Sequence, residues 1–213
     1  MNTSKILVFM EINITLIIIL VTSAVSFLAW NNKALYDKLI FNPYSIFNKN
    51  EWHRLFSSAL LHADIPHLVI NMFVLYSFGR IVEDVYVLYI PGGMAMYVGM
   101  YILSIAVANI KTLIENKNNS WYNAVGASGA VSAVVFAFVL VAPKEQIYFF
   151  GILPIPAFLY GLLYLVYSQY MAKKGNDNIG HDAHFFGAVF GFVFTGLLRP
   201  ELFQLFIKQV FNQ

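Results

Sequence analysis

Three short clusters hold side chains that could do chemistry together. The first is Gly126-Ala-Ser128-Gly129-Ala130, a hydroxyl at the start of an apolar run. The second is Ala183-His184-Phe-Phe-Gly187-Ala-Val-Phe-Gly191, an imidazole at the start of another. The third is His62-Ala-Asp64-Ile-Pro66-His67-Leu-Val-Ile-Asn71. A serine attacks a carbonyl at neutral pH only beside a base, and a neutral imidazole, with an ordinary pKa of about 6.5, suits that task. Ser128 in a first helical turn would face the positive end of the helix dipole and its free N–H groups, donors that suit an oxyanion. His67 and Asn71, four apart on one helix face, would add two side-chain donors. His184, Gly187 and Gly191 fall on one helical stripe, and the glycines let that stripe lie against a neighbour. Asp182 is near in sequence, but its direction is not given, so the reading is a Ser128–His184 dyad rather than a triad.

Each cluster also has a plainer reading. Small residues pack membrane helices, and polar ones hydrogen-bond between them. What gives the clusters weight is their surroundings. Of 213 residues, 59% are hydrophobic and 11% charged, against about 25% charged in a soluble domain. So few charges cannot cover a water-facing surface, and the solvent must be largely lipid. Ionisable groups in such segments are costly and suggest function. Aromatics at 17% suit two membrane interfaces. A net charge of +2 does not suggest nucleic acid, and the lack of cysteine excludes disulfides, thiolate metal sites and a thiol nucleophile.

The elements that must position these groups are six apolar segments in one integral membrane domain, an all-α six-transmembrane-helix bundle. They cover about 6–30, 64–79, 85–110, 126–142, 147–171 and 183–198. The first exceeds the apolar core of a secretory signal and reads as a retained span. Asp64 and Pro66 mark a helix start by N-cap and first-turn proline. The tail 201–213 alternates apolar and polar residues and reads as a surface helix. Loops 31–60, 111–125 and 172–182 share one side, and the short turns Arg80–Asp84 and Pro143–Gln146 share the other. The fourth segment, at 1.5 Å per residue, covers only about 25 Å of a roughly 30 Å core. Ser128 is therefore expected at a buried helix N-terminus beside a water-filled space. With the N-terminus inside, five basic residues lie inside and eight outside, so the positive-inside rule favours the reverse orientation.

These residues resemble the rhomboid family. Its pattern of His-x4-His-x3-Asn, Gly-x-Ser-Gly and Ala-His-x2-Gly-x3-Gly on helices two, four and six reads here as His62/His67/Asn71, Gly126/Ser128/Gly129 and Ala183/His184/Gly187/Gly191. Trp52 and Arg54 look like its first-loop element, and Gly79-x3-Glu83 looks like its helix-two ending; the resemblance spans about 50–195. It implies an intramembrane serine endopeptidase that cleaves transmembrane segments of other membrane proteins near the outer face. Ser128 would be nucleophile, His184 base, and His67, Asn71 and the Ser128 N–H the oxyanion donors. His62, Gly126, Gly129, Gly187 and Gly191 would support them. No cofactor or metal is implied, and the location implied is the plasma (inner) membrane, crossed several times.

Two positions depart from the family. An aromatic usually stands four residues after the nucleophile, stacked near the histidine, and a glycine often stands eight after it. Here they are Ser132 and Phe136. Either another residue packs the imidazole or the dyad is looser. His181 lacks a following glycine stripe and reads as a loop histidine. Three rivals stand beside the protease: a catalytically silent rhomboid-like binder of membrane helices, an ordinary channel or transporter, and a metal-dependent membrane protein using His53, His62, His67, His181 and His184. The sequence shows no charged ring or broken-helix repeat for the second, and no HExxH or spaced carboxylate for the third.

Overall fold

The computed structural model describes residues 13–149, 151–175 and 180–211. Within them the chain is mostly helical. The long helices are α1 (Ile14–Trp30), α5 (Ile65–Tyr89), α6 (Gly93–Glu115), α7 (Ser128–Val141), α8 (Ala157–Lys174) and α9 (His181–Leu198), followed by α10 (Glu201–Phe211). Three short helices, α2 (Lys33–Leu39), α3 (Pro43–Asn48) and α4 (Arg54–Ser57), fold the first loop. Among the described residues three helices, α5, α6 and α9, are long and apolar enough to cross a membrane. The parts of the expected first span and tail at 6–12 and 212–213 lie outside the described residues, as do 176–179 of the last loop.

Helix α7 sits at the centre. Gly129 through Leu140 are all buried, against α5, α6 and α9. Its 14 residues give about 21 Å, short of a roughly 30 Å hydrocarbon core. Burial in protein removes the need to match the lipid. The closest approach is to α9. A Cβ on Gly187 would lie 2.0 Å from the Gly129 carbonyl oxygen, and one on Gly191 would lie 2.0 Å from that of Ala133. Glycine is required there because backbone fills the place of a side chain.

The second helix does not end near Gly79, nor is Arg80–Asp84 a turn. Charges alone do not break a helix, and here they have partners. Arg80 lies over the Tyr76 ring. The buried Glu83 carboxylate accepts from the Ile14 and Thr15 N–H groups at 2.8 and 2.9 Å and from Thr15 Oγ at 2.7 Å. An acid at the positive end of α1 is stabilised by those orphan donors. The helix stops instead at Ile90-Pro91, before Gly92 in the left-handed region (φ 67°).

The fifth helix starts at Ala157, not Ile147. Two antiparallel strands precede it, β1 (Gln146–Phe149) and β2 (Leu153–Pro156), with Gly151 between them at φ 72°; residue 150 of the expected segment lies outside the described residues. Pro154 and Pro156 bar a helix until the residue after them. The third helix runs from Gly93 to Glu115, since Val85–Ile90 belong to its predecessor.

The first loop is a folded unit. Arg54 donates to Glu51 at 2.5 Å and to the Asp37 and Ile40 carbonyls at 2.6 and 3.1 Å. Phe41 pairs its backbone with Ala124. Asn42 caps α3 through Ser45 N–H and donates to the Ser120 and Tyr122 carbonyls at 3.1 Å. The loop thereby fixes the strand of chain that leads into α7.

Gly191→Ala is expected to destabilise the protein by about 1–3 kcal/mol, as overpacking of a closed contact does. Gly99→Ala, on α6 with open space at its Cβ, is the control. Thermal unfolding in detergent checks both: a clear fall in Tm for the first, no fall for the second.

Candidate active site

Ser128 is the first residue of α7, and His184 lies one turn into α9. Ser128 Oγ and His184 Nε2 are 2.8 Å apart. With Nε2 unprotonated, the hydroxyl donates to it and is polarised for attack. Each side chain is half-buried. The glycine contacts fix this distance, because they set how far apart the two helix axes lie. Gly129 fits the same way between α6 and α9: a Cβ there would lie 2.5 Å from Ala108 Cβ and 3.3 Å from the Ala183 carbonyl.

The first N–H groups of α7 have no helical acceptor; the first bond inside the helix runs from Val131 N–H to Ala127 O at 2.9 Å. They point, with the dipole, toward the space in front of Ser128. Gly126 opens that space. Its φ of +126° suits only glycine, and its N–H is anchored to the Ser58 carbonyl at 3.1 Å. A Cβ there would lie 3.2 Å from His67 Nε2 and 3.9 Å from Ser128 Oγ. The imidazole of α5 and the hydroxyl of α7 thus border one small gap. His67 is held at the start of α5, where Asp64 accepts from its N–H at 2.8 Å. Asn71, one turn on and buried, donates from Nδ2 to the His67 carbonyl at 3.0 Å. That leaves its second amide hydrogen for another acceptor.

His62 stands behind this gap. It is fully buried in the loop before α5, with Nδ1 3.1 Å from Ser26 Oγ and its carbonyl accepting from Trp30 Nε1 at 2.8 Å. Its ring meets that of His67 edge to face at 5.0 Å. It locks α1 to the loop and supports His67. Burial pushes its imidazole down to about 4, a charge on His67 pushes the same way, and Asp64 opposes.

The remaining candidate residues sort differently once located. Asp182 faces α6 and accepts from Lys111 at 2.7 Å, which ties the start of α9 to α6. His181 is not in a loop: it is the buried first residue of α9, edge-on to His184 at 5.8 Å. His53 is bonded to the Lys38 carbonyl in the first loop. Among the described residues no three His, Asp or Glu side chains converge as a metal site would need. Phe136 is accommodated by Gly161 of α8, whose Cβ would lie 3.5 Å from its ring. The residue that sequence reasoning does not name is Tyr164 of α8. Its ring stacks on His184 (6.3 Å, 27°) and its hydroxyl is 2.7 Å from Ser132 Oγ. The only cue to it in the sequence is the serine standing where an aromatic is expected.

Comparison with known proteins adds a family. The Rhomboid domain model matches residues 49–201. "RHOMBOID-like protein 12, mitochondrial" of Arabidopsis thaliana is 26% identical over 87% of this chain. "Rhomboid protease GluP" of Bacillus subtilis is 28% identical over 75% of it. The chain spans 59% and 29% of the lengths of these two relatives.

The lowered His62 pKa has a pH consequence. The unfolded chain binds a proton below its ordinary 6.5 that the folded chain refuses until about 4. Stability therefore falls as pH drops from 6.5 toward 4, by about 2 kcal/mol between pH 7 and 5 from this group. Thermal unfolding across that range is expected to show the fall, and His62→Gln to flatten it. An equal slope in the variant would refute the assignment.

Proposed function

The chain belongs to the rhomboid family, and from that premise we propose that it is an intramembrane serine protease that uses Ser128 and His184. It hydrolyses peptide bonds in or near transmembrane segments of other membrane proteins. The observation that carries the reading is the 2.8 Å approach of Ser128 Oγ to His184 Nε2 at the N-terminus of a helix buried in protein.

The steps follow from the groups in place. Ser128 Oγ attacks the scissile carbonyl carbon as His184 Nε2 takes its proton. The carbonyl oxygen becomes an oxyanion, stabilised by the Ser128 N–H, His67 and Asn71. The imidazolium returns the proton to the leaving amine, and the C–N bond breaks. A water molecule, deprotonated by the same imidazole, then releases the acyl group and restores the hydroxyl. Irregular backbone such as Gly126 is tolerated at membrane depth where it borders a wet cavity.

The protein is an integral membrane protein, and α5, α6 and α9 have the length and apolarity of spans. In the proposed arrangement α1, α7 and α8 complete six, and α10 lies on the surface. The helix ends that meet the long loops share one side, where the dyad lies. By family analogy that side is the outer one, with the plasma (inner) membrane as location, although the basic residues count the other way and one relative is mitochondrial by name.

Purified full-length protein in proteoliposomes is expected to cleave a substrate transmembrane segment. Ser128→Ala and His184→Ala should abolish cleavage with an unchanged Tm. His67→Ala and Asn71→Ala should each lower kcat by about 10²–10³-fold with little change in KM. Cleavage that survives Ser128→Ala refutes the mechanism.

A further inference from the structure

Four side chains, the proposed base among them, close a ring. Ser128 contacts His184 at 2.8 Å. The His184 ring lies against that of Tyr164, centroids 6.3 Å apart and planes 27° from parallel. The Tyr164 hydroxyl meets Ser132 Oγ at 2.7 Å. Ser132 is buried and one turn below Ser128 on α7, so that helix closes the ring.

The arrangement constrains something the dyad alone leaves free. The last torsion of a histidine is broad and roughly two-fold. A hydrogen bond through Nε2 fixes where that nitrogen lies; contacts on the ring set its plane, and the His181 ring meets it edge-on at 5.8 Å. A surface against the ring face limits rotation about the line of that bond. Tyr164 offers one within the range of centroid separations where aromatic pairs attract. It is itself held at several points. Tyr160 stacks on it at 6.0 Å, Phe136 leans on it at 5.7 Å, and Ser132 anchors its far end. The anchor matters because α8 is peripheral: it buries only Ala157, Gly161 and Ser168. Asp182, the acid nearest to His184 in sequence, is turned to Lys111.

We propose that Tyr164, fixed through its hydroxyl by Ser132, is the positioning residue that sets the plane of the His184 imidazole for proton transfer from Ser128. The proposal rests on the dyad reading above. Tyr164 touches no reacting atom and acts through His184. The same helix that presents the nucleophile also presents Ser132, so nucleophile and base orientation are set from one rigid element.

The test uses full-length protein in detergent, with Tyr164→Leu, Tyr164→Phe, Ser132→Ala and the Ser132→Ala/Tyr164→Phe pair. Three quantities are read: kcat and KM on a transmembrane substrate, the rate at which a fluorophosphonate modifies Ser128, and Tm. Tyr164→Leu keeps apolar bulk but loses the ring. It is expected to slow kcat and Ser128 modification together by about ten- to hundredfold, the scale of a misplaced catalytic group. KM should stay within about twofold of wild type, since uniform binding is untouched. Tyr164→Phe keeps the ring and should restore most of the rate, leaving about a fivefold loss for the missing hydrogen bond. Ser132→Ala should match it, and the double variant should be no worse than either single, because all three lack the same bond. A wild-type rate of Ser128 modification in Tyr164→Leu overturns the proposal, whatever its Tm. So do multiplying losses in the double variant, which decide the matter if Tyr164→Leu does not fold. Failure of the dyad itself would read differently: Ser128 would then be modified at an undiminished rate in His184→Ala.

Discussion

Helices α7 and α9 meet backbone to backbone, and the separation set by that contact governs the rest of the site. Carbonyl oxygens of Gly129 and Ala133 occupy the places where side chains of residues 187 and 191 would stand. Dispersion and close packing hold such a contact, since lipid supplies no hydrophobic drive between membrane helices. Ser128 and His184 sit at the same end of this seam. Their hydrogen-bonding distance is therefore a property of the packing, not of flexible side chains reaching for one another.

Around the seam, each polar group is held by an element chosen for another reason. Glu83 binds the start of α1 to α5 from inside the core. His62 ties α1 to the loop before α5 and backs His67. The first loop, pinned by Arg54 and by Asn42, grips the chain entering α7 and so fixes Gly126. The gap between His67 and Ser128 stays open because Gly126 has neither the Cβ nor the torsional limits of another residue. These supports are spread over most of the chain, from Ile14 to Tyr122.

The three polar clusters and the glycine stripe are legible from residue types and spacing alone, because burying polar groups in apolar runs is costly and demands a reason. Helix ends are less legible. Arg80–Asp84 looks like a turn because a run of charge suggests a break, whereas Glu83 is satisfied by the N-terminus of a helix 68 residues earlier. The pair of strands β1 and β2 hides in an apolar stretch whose signs are two prolines and Gly151. Tyr164 cannot be found at all from local pattern. It is 32 residues from Ser132 in sequence, on a helix whose register against α7 no periodicity reveals. Residue order alone poses the question, a serine where an imidazole's neighbour is expected, and the fold answers it from a different helix.

Activation of the Ser128 hydroxyl by His184 can be read by covalent trapping. The protein would be treated with a fluorophosphonate, and the adduct located by mass spectrometry of its fragments. A single adduct on Ser128 is expected, suppressed in a folded His184→Ala variant. An adduct elsewhere, or one on Ser128 that forms equally fast without His184, would contradict it.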